Sequence, residues 1–419
     1  MKIHPRLKTN TAKLFFSNSF FKILSFVFLP YFLYQMDKGE FTEFNILVQI
    51  TVLISVLCSC YKEFFAKSYL ISLQNKTLSL NLDFNLFVVL TLFFFLSFFT
   101  FFFVFQVDSL IFKQFNFVET NYKKTIIFLL VFFLSFDLLL SSFLYNEQKI
   151  KNLFLYNLAL FIIINLSSII FFFLFENFNK AYLRLLAMII AYFIVCTFYL
   201  VYVKKKYNLF INFYLNFKTF NFNIFIFLIL NVFFIFISLF DKFAIHKNYG
   251  TDLLSEYYLV LLFCVPAQLF ISSVNQGLLP QMYNHNFSEL NLFFLNKVKK
   301  ILVALVTFYF ATYFLIILLL KIKFIPNNYT NVPNLFLVSF VGFSIVNILP
   351  LINNFLIKNN FYKNLYLFNF SIIFIQFLIF TYFIHLMNIF LILSLYSISL
   401  LVFFFLEILF LKKYTYGKY

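Results

Sequence analysis

A run of about twenty mostly apolar residues recurs twelve times along this sequence, at 14–34, 44–61, 84–107, 124–144, 153–175, 181–203, 220–240, 254–279, 299–320, 334–356, 364–384 and 388–411. A helix rising 1.5 Å per residue needs about twenty residues to cross the hydrocarbon core of a bilayer, and inside lipid the backbone has to satisfy its own hydrogen bonds. The expected fold is an all-α membrane protein of about 12 transmembrane helices with very little outside the bilayer. Charged residues make up 11% of the chain, against about a quarter in an ordinary soluble domain, which leaves too little polar surface to cover a water-soluble globule.

Several abundant or suggestive features carry no site. The 76 Phe read as lipid-facing and packing surface. Trp is absent, and Tyr31, Tyr34, Tyr199, Tyr202, Tyr414, Tyr416 and Tyr419, near expected helix ends, take the interfacial role. Cys58, Cys60, Cys196 and Cys264 lie inside apolar runs and read as small core residues. Lys2, Arg6, Lys8 and Lys13 before the first run imitate a signal peptide, but no small-x-small cleavage site follows, so that run is expected to remain as the first helix.

Charge orients the spans. With the amino terminus in the cytoplasm, the tails and cytoplasmic loops hold 21 of the 32 Lys and Arg, and four acidic residues against nine on the other side. The formal charge of +17 then belongs to one face, as retention of basic residues in the cytoplasm requires. A nucleic-acid partner is not expected, because such a binder would not keep its charge in register with hydrophobic segments. The bias fits topogenesis and attraction to membrane lipids, or a basic vestibule that collects a phosphorylated substrate. Both termini are expected in the cytoplasm.

The connection FLYNEQKIKNLFLYN at 143–157 returns as FLIKNNFYKNLYLFN at 355–369, with identities such as Lys151/Lys363, Asn152/Asn364 and Asn157/Asn369 at a constant offset. Gly39 and Gly250 precede corresponding spans. Two six-helix halves of like orientation follow, 1–203 and 220–419, joined by a cytoplasmic linker at 204–219 that carries Lys204, Lys205, Lys206 and Lys218. Parallel halves around a central cavity form a transporter architecture.

Polar residues inside the apolar runs are the candidates for that cavity, since charge is costly in lipid. Lys22 and Asp137 fall at nearly equal depth in the first and fourth spans, and read either as a structural ion pair or with Lys22 facing a substrate anion. Arg184 lies a turn inside the sixth span, where it can snorkel or meet a phosphate. Gln268, Ser272, Asn275 and Gln276 draw one stripe along the eighth span, either a cavity wall or helix–helix glue. Pro30 and Pro266 are candidate kinks or gating bends. Glu407 is expected at the interface, and Asp241, with Lys242 and Lys247, at the end of the seventh span. Asn165, Ser167, Ser168, Asn347, Asn353 and Asn354 are weaker candidates. With five glycines no phosphate-cradling loop is expected, and His4, His246, His285 and His385 are dispersed. No metal, cofactor or catalytic residue is expected, and the chain does not read as an enzyme.

The segment FFKILSFVFLPYFLYQMDKGEFTEFNILVQITVLISVL at 20–57 resembles the start of bacterial polysaccharide flippases, the O-antigen and capsule repeat-unit translocases. These sit in a superfamily with multidrug and toxin extruders. Lys22, Pro30 and the acidic loop from Asp37 to Glu43 fit that family's pattern, although Thr42 stands where it usually has Gly. FDKFAIHKNYG at 240–250 resembles its Asp-Arg-Phe stretch with Lys242 for Arg, and LLPQMY at 278–283 is similar to its Pro-x-x-Tyr element. The resemblance implies movement of undecaprenyl-pyrophosphate-linked glycan repeat units from the cytoplasmic to the periplasmic leaflet of the inner membrane, with a polysaccharide polymerase and chain-length machinery as possible partners. It implies that cationic cavity residues, here Lys22 and Arg184, handle the pyrophosphate and sugars. A multidrug or small-molecule antiporter of the same fold, using Asp137, is the nearest alternative, and a membrane polysaccharide polymerase a more distant one.

Overall fold

The structure, a computed structural model, describes residues 20–21, 24–58, 92, 95–96, 121–146, 150–207, 224–282, 287–358 and 361–416. Among the described residues there is no strand. A short 3-10 turn, Ser25–Val27, leads into α1 (Leu29–Gln35), followed by α2 (Lys38–Cys58), α3 (Asn121–Asn146), α4 (Ile150–Leu174), α5 (Lys180–Tyr207), α6 (Ile224–Met282), α7 (Phe287–Lys321), α8 (Val332–Lys358), α9 (Tyr362–Tyr382) and α10 (Ile389–Tyr416). Eight described helices are long and apolar enough to cross a membrane. Most of the expected third span, 84–107, and most of the expected 204–219 linker lie outside the described residues.

The exposed faces of these helices are apolar. On α7, Val303, Val306, Phe310, Phe314 and Leu318 follow one another at three- and four-residue steps, and all are exposed. Such a stripe marks one side of a helix turned to hydrocarbon. Small polar side chains lie inside instead, where lipid supplies no hydrophobic drive between helices and close packing with hydrogen bonds takes over. Ser55 of α2 donates to the carbonyl of Val131 on α3 at 3.2 Å. Ser397 of α10 donates to the carbonyl of Val338 on α8 at 2.7 Å. A Cβ added at Gly342 of α8 would stand 2.8 Å from the Ser397 hydroxyl, so only glycine permits that approach.

The chain gathers into two compact units. One comprises Gln35–Ile235, in which α5 packs against α2, α3 and α4. The other comprises Phe236–Tyr419 with the residues up to Tyr34, and there α10 packs along α8 and against α9 and α7.

The seventh and eighth expected spans are two helical arms, described together as α6, that meet at Gly250, where the helical dihedrals break (φ +82°, ψ −177°). The Tyr257 hydroxyl donates to Asp241 Oδ2 at 2.7 Å, across sixteen residues. A straight helix would hold those positions about 24 Å apart, so the two arms of α6 fold back on each other at Gly250. Through Pro266, by contrast, α6 keeps its helical dihedrals. Gly39, its expected counterpart, is the second residue of α2, and only Gly250 has a positive φ. A Cβ at Gly250 would meet nothing within 4 Å, so the constraint there is the backbone alone. Gly250→Ala is expected to destabilise the protein by about 1–3 kcal/mol, the cost of forcing a side chain into a glycine-only region. Melting of the purified protein in detergent measures it, and an unchanged melting temperature would show that the bend tolerates a Cβ.

Candidate functional site

In the unit formed by Gln35–Ile235, two acidic residues of α2 hold the start of α5. Glu43 is buried and accepts hydrogen bonds from the Tyr182 hydroxyl and from Asn179 Nδ2. The Asn179 side chain in turn accepts from the Ala181 backbone N–H at 2.9 Å, so the residue fixed by Glu43 is the one that caps α5. Glu40 accepts from the Lys180 backbone N–H at 2.9 Å. Carboxylates at a helix amino terminus meet both its unsatisfied N–H groups and the positive end of its dipole. Arg184, one turn further on, lays its guanidinium 4.8 Å from the Phe44 ring centroid, a cation–π contact with α2.

A second polar cluster joins α3, α4 and α5. The Tyr156 hydroxyl, on a fully buried side chain, donates to Asp137 Oδ1 at 2.6 Å and lies 3.4 Å from Cys196 Sγ. Nearby, the Tyr199 hydroxyl donates to the Asn152 carbonyl at 3.2 Å. Asp137 is half-buried and hydrogen-bonded. Lys22, the partner considered from the sequence, lies outside the described residues.

The other unit repeats the first device. Glu256, on the second arm of α6, accepts from the Asn331 backbone N–H just before α8 at 2.8 Å, and Ser255 Oγ donates to the Tyr329 hydroxyl at 3.2 Å. The sequences correspond: Phe41-Thr42-Glu43-Phe44 in α2 and Leu254-Ser255-Glu256-Tyr257 in α6 match class for class. Both hydroxyl residues and both glutamates are buried.

Asp241 and Lys242 depart from expectation. They do not end the seventh span but lie inside the first arm of α6, buried at 4% and 6% exposure. The Lys242 ammonium contacts Asp241 Oδ1 at 2.9 Å and Oδ2 at 3.0 Å, and donates to the Ser238 carbonyl at 2.6 Å. The Tyr257 hydroxyl completes the carboxylate's partners. Glu407, expected at the interface, is buried at 2% exposure on α10, and its Oε1 has no hydrogen-bond partner.

The polar stripe on α6 divides. Asn275 Oδ1 accepts from Asn354 Nδ2 of α8 at 3.1 Å, and Asn353 and Asn369 exchange bonds between α8 and α9, so Asn275 acts as glue between helices. Ser272 turns back to the Leu269 carbonyl at 3.2 Å. Gln268 is half-buried, and the Gln276 side chain lies outside the described residues. Pro30 and Pro266 both line an apolar cavity of about 250 Å³, with Phe26, Leu33, Phe263 and Phe324 in its wall and Thr312 as the one polar side chain among the described residues that line it. Pro30 is the second residue of α1, where a missing N–H costs nothing. The chain changes from 3-10 to α geometry just before it.

Two helical units built from helices long and apolar enough to cross a bilayer, with apolar exposed faces, define a multi-pass membrane protein. More particularly, its all-helical fold is MATE-like. The chain aligns over 100% of its length with 99% of a MATE transporter in complex with MaL6, at a TM-score of 0.68 and 10% identity. It aligns equally completely with 98% of a multidrug resistance MATE family transporter of the MOP superfamily in its outward-facing conformation (TM-score 0.68, 10% identity). With 96% of an inward-facing multidrug resistance MATE family transporter the TM-score is 0.59 at 12% identity. No protein-family model matches the sequence, and no curated protein sequence matches it.

Proposed function

We propose that this chain is an exporter of the MATE type, which exposes a substrate site to the two sides of a bacterial inner membrane in turn, with both termini in the cytoplasm. The observation that carries this reading is the alignment of the whole chain with nearly the whole of such transporters. Because those similar structures include multidrug resistance transporters, efflux of small amphipathic organic compounds is the better supported cargo.

A second reading, translocation of undecaprenyl-pyrophosphate-linked oligosaccharide for surface polysaccharide, has its own support. Asp241, Lys242 and Gly250, which carry part of the sequence resemblance to polysaccharide flippases, form the buried ion pair and the bend of α6. Under this reading Lys22 and Arg184 serve the pyrophosphate and sugars, and a polymerase with chain-length machinery consumes the product.

Purified protein in proteoliposomes, under an imposed proton or sodium gradient, separates the cargos. Gradient-driven extrusion of a fluorescent cationic dye, lost in Asp137→Asn but retained in Lys22→Ala, is the expected result for small-molecule efflux. Protection of a fluorescent lipid-linked glycan from an external quencher, lost in Lys22→Ala, would transfer the assignment to the second reading. Folded protein that moves neither would remove the exporter proposal.

A further inference from the structure

Glu407 takes no part in the helix caps, the Tyr156 cluster or the Asp241–Lys242 pair. It is 2% exposed, and its Oε1 has no hydrogen-bond partner. An ionisable group placed so within a membrane span points to a function. We propose that Glu407 is a proton-binding site: in the folded protein its carboxyl holds a proton, and that proton fastens the carboxyl end of α10 against α8 and α9. The site stands apart from the choice of exported cargo.

The helical repeat puts the residue on the packed face. Leu393, Tyr396, Leu400, Phe404 and Glu407 recur at three- and four-residue steps along α10, and all are buried. What lies opposite follows from the register. α8, α9 and α10 succeed one another through short turns, so α8 and α10 run parallel and α9 runs antiparallel to both. Phe380 meets Tyr396 and Phe368 meets Phe410, with ring centroids 5.3 and 5.9 Å apart, which brings position 407 level with Asn369 and its next neighbours in α9. Ser397 meets Val338 and Gly342 of α8. Carried along the parallel pair, that offset sets position 407 opposite 348–352.

These surroundings decide what neutralises the carboxyl. Residues 348–352 read Ile-Leu-Pro-Leu-Ile, and Ile348, Leu351 and Ile352 are fully buried. Asn369 gives both of its amide N–H bonds elsewhere, to Asn353 Oδ1 at 3.1 Å and to the Leu365 carbonyl at 2.8 Å. No described lysine is turned inward to this level: Lys363 of α9 and Lys299 and Lys300 of α7 are exposed. Tyr366 is a half-buried phenol one turn before the level of Glu407. Tyr309 of α7 donates to the Leu337 carbonyl near the other end of α8, and Tyr313 follows it in that direction. Tyr382 and His385 are exposed beside the start of α10, and Tyr396 is three turns away on α10 itself. The side chains of Glu289, Lys297, Lys358, Tyr362 and the residues from Leu411 onward lie outside the described ones. A metal cation takes several oxygen ligands, which this apolar wall does not supply, and among the described residues no three His, Cys or acidic side chains gather to hold one. A carboxyl buried without a counter-charge stays neutral, because desolvation penalises the charged form. The span ends at Phe410, less than one turn beyond Glu407. Loosening that turn therefore brings the carboxyl to water, and once ionised it does not return to the apolar seam.

The test uses the full chain purified in detergent. Its infrared spectrum is expected to show the carbonyl absorption of a protonated carboxyl, at higher frequency than the amide band. That absorption should shift when glutamate with an isotope-labelled side-chain carboxyl is incorporated, and should be lost in Glu407→Gln and in Glu407→Met. Both variants imitate the neutral group, so they should melt with the wild type at mildly acid pH. The proton's contribution is present at low pH and is lost as the pH rises and Glu407 ionises. Towards alkaline pH the wild type should therefore melt several degrees below its acid value, a fall that neither variant shows. Absence of the absorption from the wild type, its survival in both variants, or three identical pH profiles would each overturn the proposal. So would a melting temperature that sodium raises in the wild type and not in the variants, since a metal ion would then be the occupant. If neither variant folds, the labelled wild type decides alone: absence of the absorption overturns the site, and its disappearance as the pH is raised supports it.

Discussion

Asp241→Asn is expected to cost about 3–5 kcal/mol and to give the largest loss of stability of any single conservative change in the protein. The substitution nearly preserves shape but leaves the Lys242 ammonium, at 6% exposure, with the Ser238 carbonyl, the Tyr257 ring 5.9 Å away and a neutral amide in place of the carboxylate. Removing one member of a buried ion pair costs this much because the other charge stays desolvated. The Tyr257 hydroxyl exchanges a charged acceptor for a neutral amide oxygen at the same time, which weakens a hydrogen bond between the two arms of α6. Removing both charges, with Asp241→Leu and Lys242→Met, should recover most of the loss, since a well-packed apolar pair often equals a buried ion pair. Melting of the detergent-solubilised variants decides it. If the single variant melts with the wild type, the ammonium reaches water and the pair is not buried in solution.

Glu43→Gln is expected to cost about 2–3 kcal/mol, from weakening two hydrogen bonds to a charged acceptor that are each worth about 1.5–3 kcal/mol. The effect passes through Asn179: once its amide is no longer held, its carbonyl caps α5 less well. Glu43→Gln and Asn179→Ala should therefore be strongly non-additive, as members of one network are. Strict additivity of the Glu43 and Asn179 changes would mean that the carboxylate does not support the cap.

The apolar runs made the helical membrane fold legible, because about twenty lipid-compatible residues in succession leave the backbone little choice. They marked the seventh and eighth spans as separate helices, but not how short the turn between them is. The polar stretch from Asp241 to Glu256 reads as a loop by hydropathy, yet Asp241 and Lys242 are buried by pairing with each other, while Lys247 and Asp252 stay exposed, and the helical dihedrals break only at Gly250. The same blindness hid Glu407, whose neighbourhood in sequence gives no sign of burial. Glu43 and Glu256 were within reach. Their flanking residues correspond in chemistry at nearly the offset that relates 143–157 to 355–369, but identity-based matching passes over Thr with Ser and Phe with Tyr. The stripe from Gln268 to Gln276 was rightly picked out as exceptional, although periodicity alone could not say that Asn275 faces α8.

The approach of α8 and α10 bears on how such a molecule can move. Ser397 sits in a notch that exists only because residue 342 lacks a side chain, and its hydroxyl is committed to a carbonyl of the opposing helix. Sliding one helix past the other by a turn would drive that serine into the bulky neighbours of Gly342 and break the bond. Shear is therefore closed to this pair, and whatever displacement accompanies a transport cycle has to carry α8 and α10 together, as one rigid stave.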